Sequence, residues 1–393
     1  MSEELRRRTC IPILYTRGTH YEVGYDIGHT FRNLIESSLS NNVHLNTILV
    51  HKYESEKVRH AYEDILEYLE HDYPQFIDEL KGMSAGSKVP FFKLFLLHID
   101  DIISVMCEKE AAGGLIGSTS ICCDQENKVI LGHSIDYFPD AINHTYMVSA
   151  HIMEAKARGK WGCAEEKFTA MCLPGMLPGF YMSYNHHGFV YTVNTISSDD
   201  PPAKKVFSLR TPRHFLCRAL LTCRSMFDAT EILQDEGHGI SDGLSVNMIF
   251  CRQEGSPLFH NAEVAPPPST KIGNEANESI MSVLTLSSGE YLTHCNKFLR
   301  LSAPQSDQLP LWSSNHRHEV LKTLPRVESV SNVVAILGDQ TDVMYSFFRD
   351  GGGRDDARTV IVGIMNLQKK TWSIYTRNPK TSIPVIVLPI ILK

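Results

Sequence analysis

The spacing of apolar residues in the first 110 positions is typical of amphipathic helices. In Val23–Leu39 the apolar side chains recur at helical spacing, and a similar series follows the candidate N-cap Ser55. Pro74 suits the first position of another helix. Val89–Met106 is apolar on most sides, which indicates a helix buried between other elements. This part of the chain is therefore predicted to be mostly helical.

After residue 110 the period of the pattern becomes two, which is typical of strands. Polar turns separate these segments in pairs, and Asn185–Gly188 offers glycine for a positive φ. The predicted pairs are Ser120–Cys123 with Val129–Ile135, Tyr181–Tyr184 with Phe189–Ile196, Leu244–Arg252 with Leu258–Val264, and Thr359–Leu367 with Thr371–Arg377. Further helices are predicted at Thr211–Leu221 and Ser225–Leu233. Hairpins mixed with helices predict an α+β fold in which helices cover antiparallel sheet.

Composition narrows the class of protein. The 393 residues are 42% hydrophobic and 21% charged, which is ordinary for a soluble globular protein. A net charge of −7, without a basic stripe, argues against a nucleic-acid partner. Met1–Thr9 has no apolar segment behind it and charges interrupt Val89–Met106, so we expect no signal peptide, no membrane partner and a cytoplasmic location. No linker or repeat is visible, so residues 1–393 are predicted to form one domain.

The ten cysteines and eighteen histidines show no metal-binding spacing. Cys122 and Cys123 are adjacent, so they would point to opposite faces of a strand, and reduced thiols are expected. His186 and His187 lie in a turn, and the histidines at 316 and 318 lack an HExxH-like helix. No metal is predicted.

Gly117 and Ser118 form a candidate self-cleavage junction. Cleavage between them would give one residue both a hydroxyl and an α-amine with a pKa of about 7.7–8. Such an amine can act as the base for its own side chain. If the hairpin folds about Asn127, Ser118 lies opposite Asp136 with Cβ atoms about 4.5–5.5 Å apart. A turn centred one residue away would shift this register, and Asp136 could equally be a hairpin-end or capping residue.

The segment Arg17–Gly28, RGTHYEVGYDIG, resembles the N-terminal signature of the autoproteolytic penicillin acyltransferase-type family. Supporting stretches are Lys93–His98, Asn185–Gly188, Thr211–Leu216 and His294–Asn296. They cover most of the chain, so the resemblance is to a whole-length homologue. It implies a four-layer αββα N-terminal-nucleophile fold, with two stacked antiparallel sheets between helices. It also implies cleavage into residues 1–117 and 118–393, which would remain together as a heterodimer.

The resemblance implies roles for residues at matching positions. Ser118 would be the nucleophile, and Asp136 would hold the new α-amine. Asn194 falls at the position of an oxyanion-hole asparagine, and Asn247 matches a second active-site asparagine. Arg317 is the match to the catalytic arginine of the family.

Several of these residues also have structural interpretations. An asparagine near a strand end, such as Asn194, often satisfies backbone groups, and Arg317 could be a surface residue. Asn247 lies in an apolar strand, where an unpaired amide would be costly, so it needs a partner. His133 and Tyr137 are candidate substrate-binding residues. His133 stands where some relatives carry arginine, and it could equally be an ordinary strand histidine.

The nucleophile position departs from the family pattern, because close relatives have cysteine where this chain has Ser118. Three explanations are open: a natural serine nucleophile, a substitution that blocks or slows processing, or an inactive relative. Serine is a poorer nucleophile than thiolate unless a base activates it. Cys122 and Cys123 could replace it only with a shift of register against Asp136.

The leading hypothesis is a self-processing amide hydrolase that needs no cofactor. The α-amine of Ser118 would deprotonate the hydroxyl, and Asn194 and Asn247 would bind the oxyanion. The resemblance implies β-alanyl or similar N-acyl amides of biogenic amines as substrates, such as N-β-alanyl-dopamine and carcinine. The alternatives are acyl transfer from a thioester to an amine, and a catalytically inactive binding protein.

Overall fold

A computed structural model describes residues 6–105, 117–126, 128–199, 209–252, 259–268, 277–351 and 357–392. The strands are β1 (Ile13–Gly18), β2 (Gly117–Gln125), β3 (Lys128–Tyr137), β4 (Tyr146–Met153), β5 (Glu165–Cys172), β6 (Met182–Asn185), β7 (Phe189–Ile196), β8 (Gly243–Phe250), β9 (Phe259–Ala265), β10 (Ile280–Thr285), β11 (Tyr291–His294), β12 (Arg358–Asn366), β13 (Thr371–Tyr375) and β14 (Ile386–Pro389). The α-helices are α1 (His20–Thr30), α2 (Arg32–Asn41), α3 (Val50–Tyr53), α4 (Glu56–Asp72), α5 (Pro74–Ser87), α6 (Phe91–His98), α7 (Asp100–Val105), α8 (Arg213–Ala219), α9 (Met226–Gln234), α10 (Leu309–Thr323) and α11 (Val330–Leu337). Within these ranges no helix has both the length and the apolar character needed to cross a bilayer.

The strands form two sheets that pack face to face. One has the order β1-β4-β5-β6-β7-β8-β9-β10 and the other β11-β2-β3-β12-β13-β14. Neighbouring strands are antiparallel except β1 and β4, which run parallel. Side chains meet between the sheets, since Ser120 on β2 hydrogen-bonds Thr192 and Asn194 on β7.

Helices cover the outer faces of both sheets. Helix α1 packs on β1 and β4, and α5 packs on α1. On the other sheet α11 covers β3 and β12, where a Cβ on Gly132 would lie only 2.4 Å from Val333 Cγ1. The predicted α+β class, with two stacked sheets between helical layers, is confirmed.

Some predicted elements are divided in the structure, and some elements of the structure were not predicted. The helix predicted at Val23–Leu39 is interrupted at Phe31, and the Val89–Met106 helix is interrupted at Ile99, where φ is −117° and ψ is 18°. Met106 itself lies outside the described residues. The predicted N-cap Ser55 accepts a hydrogen bond from the backbone of the first turn of α4, which confirms it. Strand β1 was missed because its pairing partner, β4, is distant in sequence.

The Arg17–Gly28 signature serves the packing of α1. Thr19 and Glu22 form a capping box at its start, which satisfies backbone groups that the helix leaves unpaired. His20 is buried with Nε2 3.0 Å from Glu166 Oε1. Gly24 is required by close packing, because a Cβ there would lie 2.0 Å from the carbonyl oxygen of Glu79 on α5. The signature thus fixes the first helical layer and contributes no side chain to the Ser118 site described below.

We expect Gly24→Ala to lower the free energy of unfolding by about 3 kcal/mol, because the added methyl group meets backbone that cannot move aside. Urea denaturation of the two proteins measures the difference. Thr30→Ala, at an exposed position of the same helix, is the control and should stay within about 0.5 kcal/mol. Equal losses in both variants would contradict this account of α1 and α5.

Candidate active site

The β2–β3 hairpin brings the predicted junction beside Asp136, in a register one residue from the predicted one. Gly117 lies opposite Asp136, and Ser118 lies opposite Ile135. The prediction that Ser118 pairs directly with Asp136 is therefore wrong. The prediction centred the turn on Asn127, whereas the last pair of the hairpin is Gln125 with Lys128.

This register places the hydroxyl and the carboxylate on opposite faces of the sheet, because directly opposite residues share a face. Ser118 points between the two sheets. Asp136 lies on the outer face beside Gly117, where a built Cβ would be 3.5 Å from Asp136 Oδ2. Thr359 donates to Asp136 Oδ1 at 2.7 Å, and Arg349 Nε lies 3.4 Å from Oδ2. The carboxylate therefore approaches the 117–118 peptide bond from the face opposite the hydroxyl.

The Ser118 side chain is held by two amide groups. Its Oγ accepts hydrogen bonds from Asn194 Nδ2 at 2.8 Å and from Asn296 Nδ2 at 3.2 Å. A hydroxyl oxygen has two lone pairs, so both are engaged and the hydroxyl hydrogen remains available for donation. The Ser118 amide donates to Asn296 Oδ1 at 3.0 Å. Ser118 is only 3% exposed, so this network is shielded from bulk water.

Arg317 on α10 fixes the backbone at the junction and the orientation of Asn296. Its Nη1 donates to the Ser118 carbonyl at 2.8 Å and to Thr119 Oγ1 at 2.7 Å, while Nη2 donates to Asn296 Oδ1 at 2.8 Å. Because the guanidinium occupies Oδ1, the Nδ2 group of Asn296 must face Ser118 Oγ. Arg317 is fully buried, which excludes the surface alternative.

Asn194 is oriented by two donors on its other side. Its Oδ1 accepts from Ser120 Oγ at 2.7 Å and from Asn247 Nδ2 at 3.0 Å, so its own Nδ2 group faces Ser118. Asn247 was predicted to act beside Asn194. The structure instead places it behind Asn194, because Asn247 pairs with Thr192, two residues further along β7 from the Ser118 end.

His133 and Tyr137 lie near this network, and no hydrogen bond to Ser118 is formed by either within the described residues. His133 Nδ1 is 2.7 Å from Ser120 Oγ. Since Ser120 gives its single hydrogen to Asn194, the His133 Nδ1 atom must carry a hydrogen. Burial lowers the pKa of His133 to about 3, so the ring is neutral. Tyr137 is two residues after Ile135 on β3, so it lies on the same inner face, and it is buried.

The two adjacent thiols do not occupy the junction. Cys122 points between the sheets, with Sγ 3.6 Å from Asn247 Oδ1, and burial raises its pKa well above the usual range. Cys123 points to the other face of the sheet, where it packs in a separate apolar cluster. Burial raises its pKa to about 11. The prediction of opposite faces is confirmed.

Asn296 was missed as a site residue. It follows β11, which pairs with β2 on the side away from β3. Because 178 residues separate it from Ser118, no spacing rule connects the two. Its one sequence signal was its place in the His294–Asn296 stretch that supported the family resemblance.

Two stacked sheets between helices, with a hydroxyl residue at the start of an inner strand, define the N-terminal-nucleophile class of fold. The chain belongs to the family described as acyl-coenzyme A:6-aminopenicillanic acid acyl-transferase, whose model matches residues 123–381. It is 37% identical over 392 residues to the beta-alanyl-dopamine/carcinine hydrolase of Drosophila melanogaster, covering 99% of this chain and 98% of that protein. The resemblance and the enzyme class predicted from it, an amide hydrolase, are confirmed.

Among solved structures the chain is similar to penicillin V acylase from Agrobacterium tumefaciens. The two are 12% identical with a TM-score of 0.32, over 66% of this chain and 82% of that one. A likeness of this size carries no argument about the site. The family match itself begins five residues after Ser118, so it does not include Gly117 or Ser118.

Proposed function

We propose that this chain is a self-processing amide hydrolase whose Ser118, once N-terminal, forms an acyl-enzyme. The observation that carries the proposal is the pair of amide groups, Asn194 and Asn296, on the buried Ser118 hydroxyl, with the Asp136 carboxylate beside Gly117 on the opposite face. The fly relative, identical at 37% of positions, supports β-alanyl amides of biogenic amines as substrates, with N-β-alanyl-dopamine and carcinine as the first to test. The reaction needs no cofactor, and the enzyme acts in the cytoplasm.

Maturation begins when Ser118 Oγ attacks the carbonyl carbon of Gly117. An ester forms, the peptide C–N bond breaks, and the hydroxyl proton passes to the leaving nitrogen, which becomes the α-amine of Ser118. Water then hydrolyses the ester, which gives Gly117 a carboxylate and restores the hydroxyl. The buried Oγ, with its hydrogen free for donation, suits the first step.

The two fragments would remain associated as a single domain. Strand β1 in residues 1–117 pairs with β4 in residues 118–393 along six residues. Buried ion pairs also join them, since Arg218 bonds Glu79 at 2.8 Å and His20 bonds Glu166 at 3.0 Å. Separation would leave Glu79 and His20 without their partners, whereas Arg218 and Glu166 would keep each other, and an unpaired buried charge is strongly unfavourable.

Amide hydrolysis would use the same groups. The Ser118 nitrogen already bonds Asn296 Oδ1, and departure of Gly117 would expose it to Asp136 Oδ2. The α-amine takes the hydroxyl proton, directly or through one water, as Oγ attacks the substrate carbonyl. Asn194 and Asn296 donate to the oxyanion. The amine product leaves with the proton of the α-ammonium, and water hydrolyses the acyl-enzyme.

Serine in place of cysteine is compatible with this chemistry. Two donors on Oγ stabilise the oxyanion that forms when the hydroxyl loses its proton, which favours ionisation. Asn247 would support the reaction from behind, by holding Asn194 in its donating orientation. Arg317 would do the same for Asn296.

The first prediction of this proposal concerns maturation. The purified 44.3 kDa chain should yield two fragments on a denaturing gel, and N-terminal sequencing of the larger one should begin at Ser118. Ser118→Ala should remain a single band because no nucleophile is left at the junction. Ser118→Cys should be cleaved at least as fast, because a thiol is the better nucleophile.

Ser302→Ala is the control, since it removes an exposed hydroxyl that lies outside the Ser118 network. It should still be cleaved between residues 117 and 118. An uncleaved wild-type chain, together with an uncleaved and inactive Ser118→Cys variant, would instead support the inactive-relative explanation.

A second prediction concerns the amide donors. Asn194→Leu should lower kcat for N-β-alanyl-dopamine roughly 100-fold, the usual cost of one oxyanion donor. Asn247→Leu should lower kcat by about 10-fold with KM unchanged, because it frees the Asn194 amide to rotate. Asn315→Leu, at an exposed position on α10, is the control and should match the wild type. If Asn194→Leu also matches it, Asn194 is not an oxyanion donor.

The family description favours a second candidate function, acyl transfer from a thioester to an amine. Both reactions pass through the same acyl-enzyme and differ in whether water or an amine receives the acyl group. We expect free β-alanine and dopamine as products, with no change when β-alanyl-coenzyme A is supplied. A new amide that forms only when both the thioester and free dopamine are present would establish the transferase instead.

A further inference from the structure

An acidic cluster, in which Asp101 and Asp242 are buried and Asp100 is half-buried, lies at the same end of the two sheets as Ser118. Asp100 and Asp101 begin α7, and Asp242 immediately precedes β8. Arg213 on α8 lies 3.7 Å from Asp101 Oδ2 and 3.1 Å from Asp242 Oδ2. These three carboxylates share the guanidinium of Arg213, so the cluster carries surplus negative charge when they are ionised.

Tyr137 connects this cluster with the nucleophile. It lies two residues beyond Ile135, which is opposite Ser118, and it points from the same face of the sheet. Such diagonal neighbours are about 7–8 Å apart. Burial raises the pKa of the Tyr137 phenol, and the nearby Tyr181 and Asp100 raise it further. Tyr137 is therefore near both Ser118 and Asp100.

Strand β7, in the other sheet, also links Ser118 with the acidic cluster. Asn194, which bonds Ser118 Oγ, is four residues before Ser198. Ser198 donates to Asp242 Oδ1 from its backbone nitrogen at 2.8 Å and from its hydroxyl at 2.6 Å. Ser118 and the acidic cluster therefore both contact residues at the C-terminal end of β7.

Besides Arg213 Nε, two oxygen atoms of the cluster have no hydrogen-bond partner within the described residues. They are Asp100 Oδ1 and the hydroxyl of Tyr181, a residue that is 4% exposed. Burial raises the pKa of Tyr181, and the next largest cause is the charge of Asp100, so the phenol is close to that carboxylate without bonding it. A buried polar atom without a partner is costly, so a ligand that supplies N–H donors would be favoured here.

The charges around these atoms suit a cation. Burial raises the pKa of Asp100 and that of Asp101, even though Arg213 opposes the change. The neighbouring imidazoles are neutral, because burial lowers the pKa of His98 to about 4 and that of His214 well below its usual range. A bound ammonium group would stabilise the ionised carboxylates.

We propose that Asp100, with Tyr181 and Tyr137 beside it, binds the ammonium group at the far end of an aminoacyl amide while Ser118 attacks its carbonyl carbon. The inference rests on the proposed function and names its substrate class: amides whose acyl chain ends in a primary ammonium. A β-alanyl group has this form, since two methylene groups separate its ammonium from the carbonyl. Neutral acyl chains of the same length lack the charge that the carboxylate recognises.

The test compares N-β-alanyl-dopamine with N-butyryl-dopamine, in which a methyl group replaces the ammonium. The wild-type kcat/KM should favour the β-alanyl amide by about 30-fold, within the range for hydrogen bonds to charged groups. Asp100→Asn should bring the ratio close to one by lowering only the β-alanyl value. Tyr181→Phe removes one oxygen atom and should lower the ratio about 5-fold, which keeps the test valid if Asp100→Asn fails to fold.

Asp124→Asn is the matched control. Asp124 is a buried carboxylate whose Oδ2 also has no hydrogen-bond partner in the described part of the chain, and it lies at the far end of β2 from Ser118. Its ratio of kcat/KM values should equal that of the wild type. Equal hydrolysis of the two amides by the wild type, or equal ratios in Asp100→Asn and Asp124→Asn, would overturn the inference.

Calorimetric titration of Ser118→Ala with the same two amides separates this inference from the proposed function. If Ser118→Ala binds N-β-alanyl-dopamine more tightly than N-butyryl-dopamine, and Ser118→Ala/Asp100→Asn does not, the ammonium site is supported. This conclusion holds even if no variant hydrolyses an amide, since the absence of hydrolysis would reject only the proposed function. If no variant hydrolyses an amide and both compounds bind equally or not at all, the ammonium site is rejected as well.

Discussion

The two hydrogen bonds that Asn194 and Asn296 donate to Ser118 Oγ are the interaction on which the site depends. They require that β7 of one sheet and the end of β11 in the other meet at the start of β2. Neither amide is free to rotate, because Ser120 and Asn247 occupy the oxygen of Asn194 and Arg317 occupies that of Asn296. The packing of the two sheets thereby fixes the direction in which the two amides donate.

Because side chains alternate along β2, the groups around the 117–118 junction lie on two different faces of the sheet. The inner face carries Ser118 and its amide donors, and Ser118 is almost fully buried there. On the outer face Thr119 bonds Arg317, and Asp136 reaches the junction from the neighbouring strand. The same peptide bond is therefore approached by a hydroxyl from one side and by a carboxylate from the other.

Local patterns in the sequence predicted most of the elements around the site. Apolar periodicity and caps located the helices that begin near Ser55 and Pro74, and alternation located the hairpins of β2–β3 and β8–β9. The register of β2 against β3 was predicted one residue out, because a turn of one central residue and a turn of two residues fit the same polar segment. That single step decides which face of the sheet Asp136 occupies.

Contacts between distant segments could not be predicted in this way. Asn296 reaches Ser118 because β11 pairs with β2, and nothing in the spacing of the sequence announces that pairing. Asn247 was assigned a direct role because it matches an active-site asparagine of the family, but its position along the strand follows from its pairing with Thr192. The family resemblance pointed to Ser118, Asn194 and Asn247, whereas the register of the strands decides which side chains meet.

The most direct test of this account is to trap the acyl-enzyme. Protein quenched in acid during turnover of N-β-alanyl-dopamine should be digested and analysed by tandem mass spectrometry. The account predicts a β-alanyl ester on the hydroxyl oxygen of Ser118, in a peptide that begins with that residue. An acyl group on Cys122 or Cys123, or turnover without any adduct on Ser118, would contradict it.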